Sequence, residues 1–425
     1  SIGYNAYSIL KTGKDEHGRF FPVDTFVGYG DYKPPLAVYL TVPFVAVFGL
    51  TELAVRLPSV IAGTLAVLLT YLLVSEFYKR HVALLSALLL AISPWHIQLS
   101  RAGWEANIAL TILLFGIWLV LLARRNPRLL IVCWVPFVLA MYTFNSARYV
   151  APLFALLFFF WVWKTMREYK RYAFVGIFVG LMLLVPLVPH MISPEARLRF
   201  AEVNIFSDLS IVEKSNERMA IDGGGLLANI FHNRRVGFAL EYLKHFFDHF
   251  QPWFLFMRGD GNPKFSLQDV GQLYLIEAPF LVYGVYRLVT TDAKLAWTLI
   301  LWVIFAILPA AVARETPHAL RIENSLPVWQ IFIAFGIVSS LKKRGFMILT
   351  IIIYVASFSY FWHNYFNHYV KEFSSEWQYG YTQAISEMQK FEGSYTDVVV
   401  SEAYGRSYMY TLFYVRMDPS VYLLS

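Results

Sequence analysis

The sequence predicts an all-α polytopic membrane protein, a bundle of helices with further helices beside it on the outward side. Apolar residues make up 57% of the 425 residues and charged residues only 15%, with a mean hydropathy of +0.50. In soluble domains roughly a quarter of the residues are charged, so this low charged fraction indicates a chain that lies largely in lipid. Phe, Tyr and Trp reach 18%, as is typical where rings fill a membrane bundle and mark its interfaces.

Ten apolar stretches are predicted to span the bilayer. Crossing about 30 Å of hydrocarbon takes roughly 20 residues, and backbone groups in lipid must pair within the helix. The predicted spans are residues 55–76, 82–100, 106–123, 128–144, 149–163, 172–190, 270–288, 295–313, 326–341 and 346–362.

The Lys and Arg residues orient this bundle. One set of turns carries fourteen of them and the short turns on the other side carry four, and the positive side faces the cytoplasm. The fourteen are Lys79, Arg80, Arg124, Arg125, Arg128, Lys164, Arg167, Lys170, Arg171, Arg287, Lys294, Lys342, Lys343 and Arg344; the four are Arg101, Arg148, Arg314 and Arg321. Residues 1–54, 191–269 and 363–425 are therefore predicted to face outward.

The apolar run at residues 36–50 would reverse every later turn if it spanned the bilayer. It follows Pro34 and Pro35, contains Pro43 and ends at Gly49. These residues favour a helix that lies at the outer interface or dips into it, rather than a span.

The two ends of the chain differ from its middle. The chain opens at Ser1 on a polar stretch that we expect to be a loop, without a signal sequence. Residues 1–362 are expected to form the membrane domain, with its first helix upstream. Residues 397–400 are interpreted as a β-strand, so residues 363–425 are expected to begin a small outward α/β region that is truncated.

Composition and missing motifs exclude several classes of function. The net charge of +7 is explained by cytoplasmic Lys and Arg, so no nucleic-acid partner is predicted. The single cysteine, Cys133, rules out a disulfide framework or a cysteine-based metal site. The sequence also lacks a Walker-type phosphate loop, a dinucleotide fingerprint, HExxH and a Gly-x-Ser-x-Gly elbow.

Charged residues at the outward ends of the spans are candidates for function, since charges near lipid are costly. Asp31 and Lys33 precede the run at 36–50, although Lys33 could equally anchor to lipid headgroups. Arg101 and Glu105 lie at the next outward turn, where Glu105 could also cap a helix.

A third outward cluster is residues 315–321. The planar guanidinium of Arg321 suits a phosphate, and His318 could orient a ligand, although a lone His is more often structural. The stretch 258–262 fits a turn better than a metal loop. Asp15 and Glu16 are interpreted as solvating a hydrophilic loop.

The ordered series of motifs resembles the membrane-embedded GT-C glycosyltransferases. It resembles in particular the bacterial relatives of protein O-mannosyltransferases and of lipid A aminoarabinose transferase. The similarity extends over almost the whole chain. The motifs are GYNAYSILKTG, GDYKPPL, AVRLPSVIAGTL, SPWHIQLSRAGWEANIAL, VGQLYLIEAPF and ETPHALR.

The resemblance implies an inverting transfer of a sugar from a polyprenyl-phosphate carrier to an acceptor hydroxyl, on the extracytoplasmic face of a prokaryotic plasma membrane. The acceptor, whether lipid, glycan or protein, stays open. By the same resemblance Asp31 and Glu105 are catalytic candidates, and the family's main catalytic Asp is expected before Ser1. The implied phosphate-binding residues are Lys33, Arg321, His318 and Arg101. No cofactor is assigned; a divalent metal stays open, without assigned ligands.

Two alternatives to the enzyme remain. A transporter or flippase of lipid-linked sugars would show paired broken helices with charges at mid-membrane. Here the charges cluster at the outward helix ends, which favours transfer chemistry. The second alternative is an inactive relative that serves as an assembly partner.

Overall fold

The computed structural model describes residues 1–28, 31–340, 343–391, 393–395 and 398–424, without the side chains at 31, 195 and 197–200. Within these ranges the chain is predominantly helical, with one two-stranded antiparallel sheet.

The N-terminal stretch is a helix, α1 (Ile2–Thr12), so the predicted loop is wrong. Tyr4, Ala6 and Ile9 of this helix are buried. Their burial stabilises a short helix that the polar residues of the stretch had made difficult to predict. Gly13 ends the helix in the left-handed conformation at φ 71°, and its N–H donates to the carbonyl of Ile9.

A hairpin and a short helix follow α1. Strands β1 (Phe26–Gly28) and β2 (Asp31–Lys33) pair antiparallel, and α2 (Leu36–Phe48) begins directly after the two prolines. At 1.5 Å per residue, the 13 residues of α2 cover roughly 20 Å, well short of a bilayer's hydrocarbon. The helix predicted at 36–50 is confirmed, and its place at the interface stays a prediction.

The first half of the bundle forms the main apolar core with the second half. Its helices are α3 (Glu52–Ser75), α4 (Arg80–Ala91), α5 (Pro94–Ser100), α6 (Glu105–Leu122), α7 (Val135–Met141), α8 (Ala147–Glu168), α9 (Lys170–Leu184) and α10 (Val188–Met191). A 3₁₀ turn (Pro127–Ile131) precedes α7.

The second half of the bundle is separated from the first, along the chain, by a segment of shorter helices. That segment holds α11 (Pro194–Val203), α12 (Leu209–Ile221), α13 (Leu226–Phe231) and α14 (Arg234–Asp248). The second half holds α15 (Glu277–Thr291), α16 (Ala293–Ile307), α17 (Val328–Ser340) and α18 (Arg344–Asn367).

Six helical segments in the described part of the chain are long and apolar enough to cross a membrane, and the bent pair α4–α5 would be a seventh. Three of the ten predicted spans are shorter than predicted. Residues 128–144 divide into a 3₁₀ turn and the seven-residue α7, α15 starts only at Glu277, and α17 has 13 residues. For α7 and α17 apolar composition misled, because a helix enclosed by neighbours is apolar without needing the length of a span.

Helices α15 and α17 pack in close backbone contact. A Cβ added to Gly284 would overlap the carbonyl oxygen of Phe332, and one added to Gly336 would overlap that of Phe280. Small residues allow such approach between apolar helices, and the short α17 is held in the core by this contact.

The tail (residues 363–425) is helical in its described part, so the predicted α/β character is not confirmed. It contains α19 (Tyr369–Glu372), α20 (Tyr381–Lys390), α21 (Ser407–Val415) and α22 (Pro419–Tyr422). Residues 398–400 form no strand, and the Val399 side chain is 93% exposed; position 397 lies outside the described residues. The proposed boundary at 362/363 falls inside α18, and the domain division stays a prediction.

Candidate active site

A cavity of about 1660 Å³ opens among the loops that join the helices at one end of the bundle. Five of the six predicted site residues line it: Lys33, Arg101, Glu105, His318 and Arg321. The backbone of Asp31 belongs to β2, while its side chain lies outside the described residues. The chain thus brings residues from three separate turns to one space.

Lys33 and Glu105 form an ion pair across the cavity wall. The Lys33 Nζ atom lies 3.6 Å from Glu105 Oε1, and the two side chains are 21% and 13% exposed. Lys33 is placed by the pairing of β2 with Phe26 of β1 and by a 3.0 Å hydrogen bond from Thr25 Oγ1 to its carbonyl oxygen. Glu105 opens α6, where the helix dipole also favours a carboxylate.

Arg101 stacks against three rings of the C-terminal part of the chain. Its guanidinium carbon lies 5.1 Å from the ring centre of Tyr365, 5.2 Å from that of Tyr369 and 4.7 Å from that of Trp377. Its Nε and Nη2 atoms are buried without a hydrogen-bond partner among the described residues. Cation–π contacts therefore fix the orientation of this cation at the cavity wall.

Arg321 is held by its own loop and by α8. Its Nη1 donates to the carbonyl of Glu315 at 3.2 Å, and its carbonyl accepts from Ser146 Oγ at 3.3 Å. These contacts place the guanidinium at the cavity.

Asp260 braces the loop that carries His318 and Arg321. Its Oδ2 accepts the Ala319 N–H at 2.6 Å, and its Oδ1 accepts the Asn262 N–H at 2.8 Å. Burial raises the pKa of Asp260 to about 6, against the effect of these two N–H groups. The turn predicted at 258–262 is confirmed, with the addition that its Asp is buried.

His318 is mostly buried, with its ring 8% exposed and 4.8 Å from that of Phe265. Its backbone N–H donates to Nε2 of His249 at 3.2 Å. Burial, and then the charge of Arg321, lower the pKa of His318 to about 3. The ring is therefore neutral, and this environment fits the structural reading of His318 better than a charged contact to phosphate.

The charge of the cavity is strongly positive. Its lining includes seven Lys or Arg residues and, among the described residues, three carboxylates. The cations are Lys33, Arg56, Arg101, Arg148, Lys264, Arg321 and Arg406, and the carboxylates are Glu52, Glu105 and Glu376. Each carboxylate lies within 4 Å of a cation, through Arg56–Glu52, Lys33–Glu105 and Lys264–Glu376. Positive side chains therefore outnumber the described carboxylates of the lining by four, so the cavity suits an anionic ligand.

Several lining residues were missed by sequence reasoning. Arg148 presents a buried Nη2 without a hydrogen-bond partner in the described part of the chain. His190 and Tyr32 face each other with ring centres 6.1 Å apart. Arg148 was counted only for topology, and its place at the start of α8 was the signal available for it.

Asp15 and Glu16 do not solvate their loop, and that interpretation is wrong. They are 0% and 3% exposed. Asp15 Oδ1 accepts the N–H groups of His17 and Arg19, so it closes the turn. Burial raises the pKa of Glu16, whose N–H donates to Asn5 of α1. A charged run was mistaken for a surface because its contacts come from a helix that was not predicted.

No group of three or more His, Cys, Asp or Glu side chains in the described residues is arranged to hold a metal ion.

Comparison with known proteins gives a family match over part of the chain, and a fold. Residues 32–190 match the family of dolichyl-phosphate-mannose-protein mannosyltransferases. The archaeal oligosaccharyltransferase AglB from Archaeoglobus fulgidus, solved with an inhibitory peptide and a dolichol-phosphate, matches 94% of this chain and 56% of its own. Its TM-score is 0.50 and its identity 16%. This chain has the fold of the GT-C glycosyltransferases.

ArnT from Cupriavidus metallidurans is also similar. Its apo structure matches 97% of this chain and 63% of its own, at a TM-score of 0.47 and 13% identity. Its structure bound to undecaprenyl phosphate matches 100% of this chain and 65% of its own, at a TM-score of 0.47 and 12% identity. The chain thus spans less than two thirds of the length of these proteins. No curated protein gives a match.

The resemblance inferred from the motifs is confirmed, and the chain is an integral membrane protein of mostly helical fold.

Proposed function

We propose that this protein is a membrane glycosyltransferase that moves a sugar from a polyprenyl-phosphate carrier to an acceptor hydroxyl, with inversion. The observation that carries the proposal is the cavity itself, in which a Lys33–Glu105 pair and an excess of four cations face one space at the ends of apolar helices. The matching family is named for a dolichyl-phosphate-linked sugar donor, which fits such a cavity.

The cations suit the leaving group of this reaction. As the bond from the anomeric carbon to the phosphate oxygen breaks, the sugar gains oxocarbenium character and negative charge grows on the phosphate. Lys33 and Arg321, aimed at that phosphate from β2 and from the loop after α16, would stabilise the charge as it develops. Arg101, held by its three rings, would supply a further fixed positive charge.

The carboxylates suit the acceptor. A hydroxyl must lose its proton as it attacks the anomeric carbon, and a carboxylate within hydrogen-bond reach can take it. Glu105 lines the cavity and Asp31 stays a candidate from its sequence position. Glu105 is therefore the candidate base that we propose, and it also holds Lys33.

We place the site on the extracytoplasmic side of a prokaryotic plasma membrane, because the positive turns predict the opposite side as cytoplasmic. The loops that line the cavity belong to the turns with four Lys and Arg rather than fourteen. The acceptor is a lipid, a glycan or a protein carrying a hydroxyl.

The direct test is transfer by the full-length protein in vesicles. A panel of polyprenyl-phosphate sugars, each radiolabelled in the sugar, is supplied with membrane extract as the source of acceptor. The proposal predicts release of polyprenyl phosphate together with labelled product for at least one donor. Movement of intact labelled donor across the bilayer, without cleavage for any sugar, would indicate a flippase instead.

A further inference from the structure

Helix α14 exposes an apolar face, although its protein-facing side includes buried polar residues. Leu240, Leu243 and Phe247 fall on one face by their spacing and are 58%, 49% and 62% exposed. The opposite face carries His245 and Asp248, which are only 6% and 9% exposed. A helix of a water-soluble domain turns its apolar face to the core, so the exposed face of α14 requires an apolar surrounding.

The buried polar face of α14 makes contacts within the helix and to the loop at Thr316. His245 Nε2 lies 3.0 Å from Glu241 Oε1 within the helix. Asp248 Oδ2 accepts from Thr316 Oγ1 at 2.9 Å, and Oδ1 accepts from Gln251 Nε2 at 2.6 Å. The hydrogen bond from Thr316 ties this face to the loop of His318 and Arg321, and the apolar face points away from it.

The position of α14 along the bundle is fixed as well. Tyr242 Oη donates to the carbonyl of Leu308 at 3.2 Å, and Leu308 is at the end of α16, inside the candidate span 293–312. The apolar face thus lies at the level where a membrane span reaches the interface.

The preceding helix α13 also exposes apolar side chains. Four of its six residues are large, apolar and exposed: Leu226 (77%), Leu227 (68%), Ile230 (50%) and Phe231 (62%). Arg234 and Arg235 follow with exposed positions, and Lys244 flanks the apolar face of α14 with its side chain 64% exposed. Basic residues beside an apolar helix face are typical of helices that lie in a lipid interface.

We propose that α13 and α14 bind the lipid bilayer surface, with their apolar faces among the acyl chains and their basic residues at the headgroup phosphates. Lipid then contacts the exposed face of α14, and the opposite face of the same helix contacts the loop of Arg321 through Asp248 and Thr316. This surface is independent of the donor and of the transfer reaction.

The test uses fluorescence at single introduced cysteines in the full-length protein. The native Cys133 is fully buried, so Leu243→Cys, Leu227→Cys and the control Ser386→Cys, exposed on α20, can each be labelled with an NBD probe. The labelled proteins are reconstituted in phosphatidylcholine–phosphatidylglycerol vesicles, with or without lipids carrying a nitroxide on the acyl chain.

The proposal predicts blue-shifted emission at positions 243 and 227, quenching by the acyl-chain nitroxide and protection from aqueous iodide, with the reverse at position 386. If iodide quenched the probes at positions 243 and 227 as strongly as the probe at 386, the apolar faces of α13 and α14 would be exposed to water rather than to lipid. Protection from both quenchers would show that protein, such as a second copy, covers the surface. Either result overturns the proposal.

Discussion

Lys33 Nζ lies 3.6 Å from Glu105 Oε1, although the strand that ends at Lys33 and the helix that begins at Glu105 are 72 positions apart in the chain. Both side chains are largely withdrawn from solvent, so the pair is screened less than an ion pair on the surface. In the proposed mechanism this contact keeps a cation and a carboxylate ready on one wall of the cavity.

Glu105→Gln should lower the rate of sugar transfer by at least about 100-fold, because it removes a carboxylate from acid–base chemistry and from Lys33. A helix cap alone would contribute only about 0.3–1 kcal/mol to stability and nothing to rate. The measurement is turnover at saturating donor, alongside the thermal unfolding midpoint.

Glu76→Gln is the matched control for this variant, since it breaks the 3.0 Å pair with Arg125 away from the cavity. It should leave turnover unchanged. Equal turnover in Glu105→Gln and Glu76→Gln would leave Glu105 as a helix cap only.

Arg321→Ala should weaken binding of the polyprenyl-phosphate donor by about 10- to 150-fold, the equivalent of one charge-assisted hydrogen bond of about 1.5–3 kcal/mol. Arg321→Lys keeps the charge and loses the planar fork, so its loss should be smaller but still measurable. Donor affinity can be measured by calorimetry in detergent. Arg125→Lys, away from the cavity, is the control and should keep the wild-type affinity. Wild-type affinity in both Arg321 variants would exclude Arg321 from the phosphate site.

The loop of His318 should loosen as the pH falls, because His249 must stay neutral to hold it. Its Nδ1–H donates to the His245 carbonyl and its Nε2 accepts the His318 N–H, and burial lowers its pKa from 6.5 to about 4. Between pH 6.5 and about 4, His249 is protonated in the unfolded chain but stays neutral in the folded protein. Stability is therefore lost between pH 6.5 and about 4, on the order of 3 kcal/mol for this ring.

The check is the thermal unfolding midpoint of wild type and of His249→Gln across that range. Asp260 acts in the opposite sense, since its raised pKa of about 6 lets the folded state bind a proton first, but it is present in both proteins. His249→Gln should show the shallower decline on acidification. Parallel curves would contradict the role assigned to His249.

The convergence of Lys33, Arg101, Glu105 and Arg321 could be predicted from the sequence, because the positive turns identify one side of the bundle and all four lie in turns on the other. Charged residues beside lipid are also easy to recognise in an apolar chain. What the pattern could not supply was the partner of each. The stacking of Arg101 on Tyr365, Tyr369 and Trp377 joins residues more than 260 positions apart.

Errors arose where tertiary packing overrides local composition. Helix α1 mixes polar and apolar residues, and its buried Tyr4, Ala6 and Ile9 hold it against the rest of the chain. Asp15 and Glu16 are buried as well, and Glu16 contacts that same helix through Asn5. Conversely, α17 is apolar throughout but short, because the core rather than lipid surrounds it.

The central claim is that Lys33 serves a phosphate in this cavity, and Lys33→Ala in the full-length protein tests it most directly. Losing one cation aimed at the departing oxygen should cost roughly 2.7–4 kcal/mol of transition-state stabilisation, or about 100- to 1000-fold in the rate of transfer. Lys11→Ala, which removes a cation of α1 away from the cavity lining, should leave that rate unchanged. Near-wild-type turnover by Lys33→Ala would show that Lys33 is only a lipid anchor and would contradict the account.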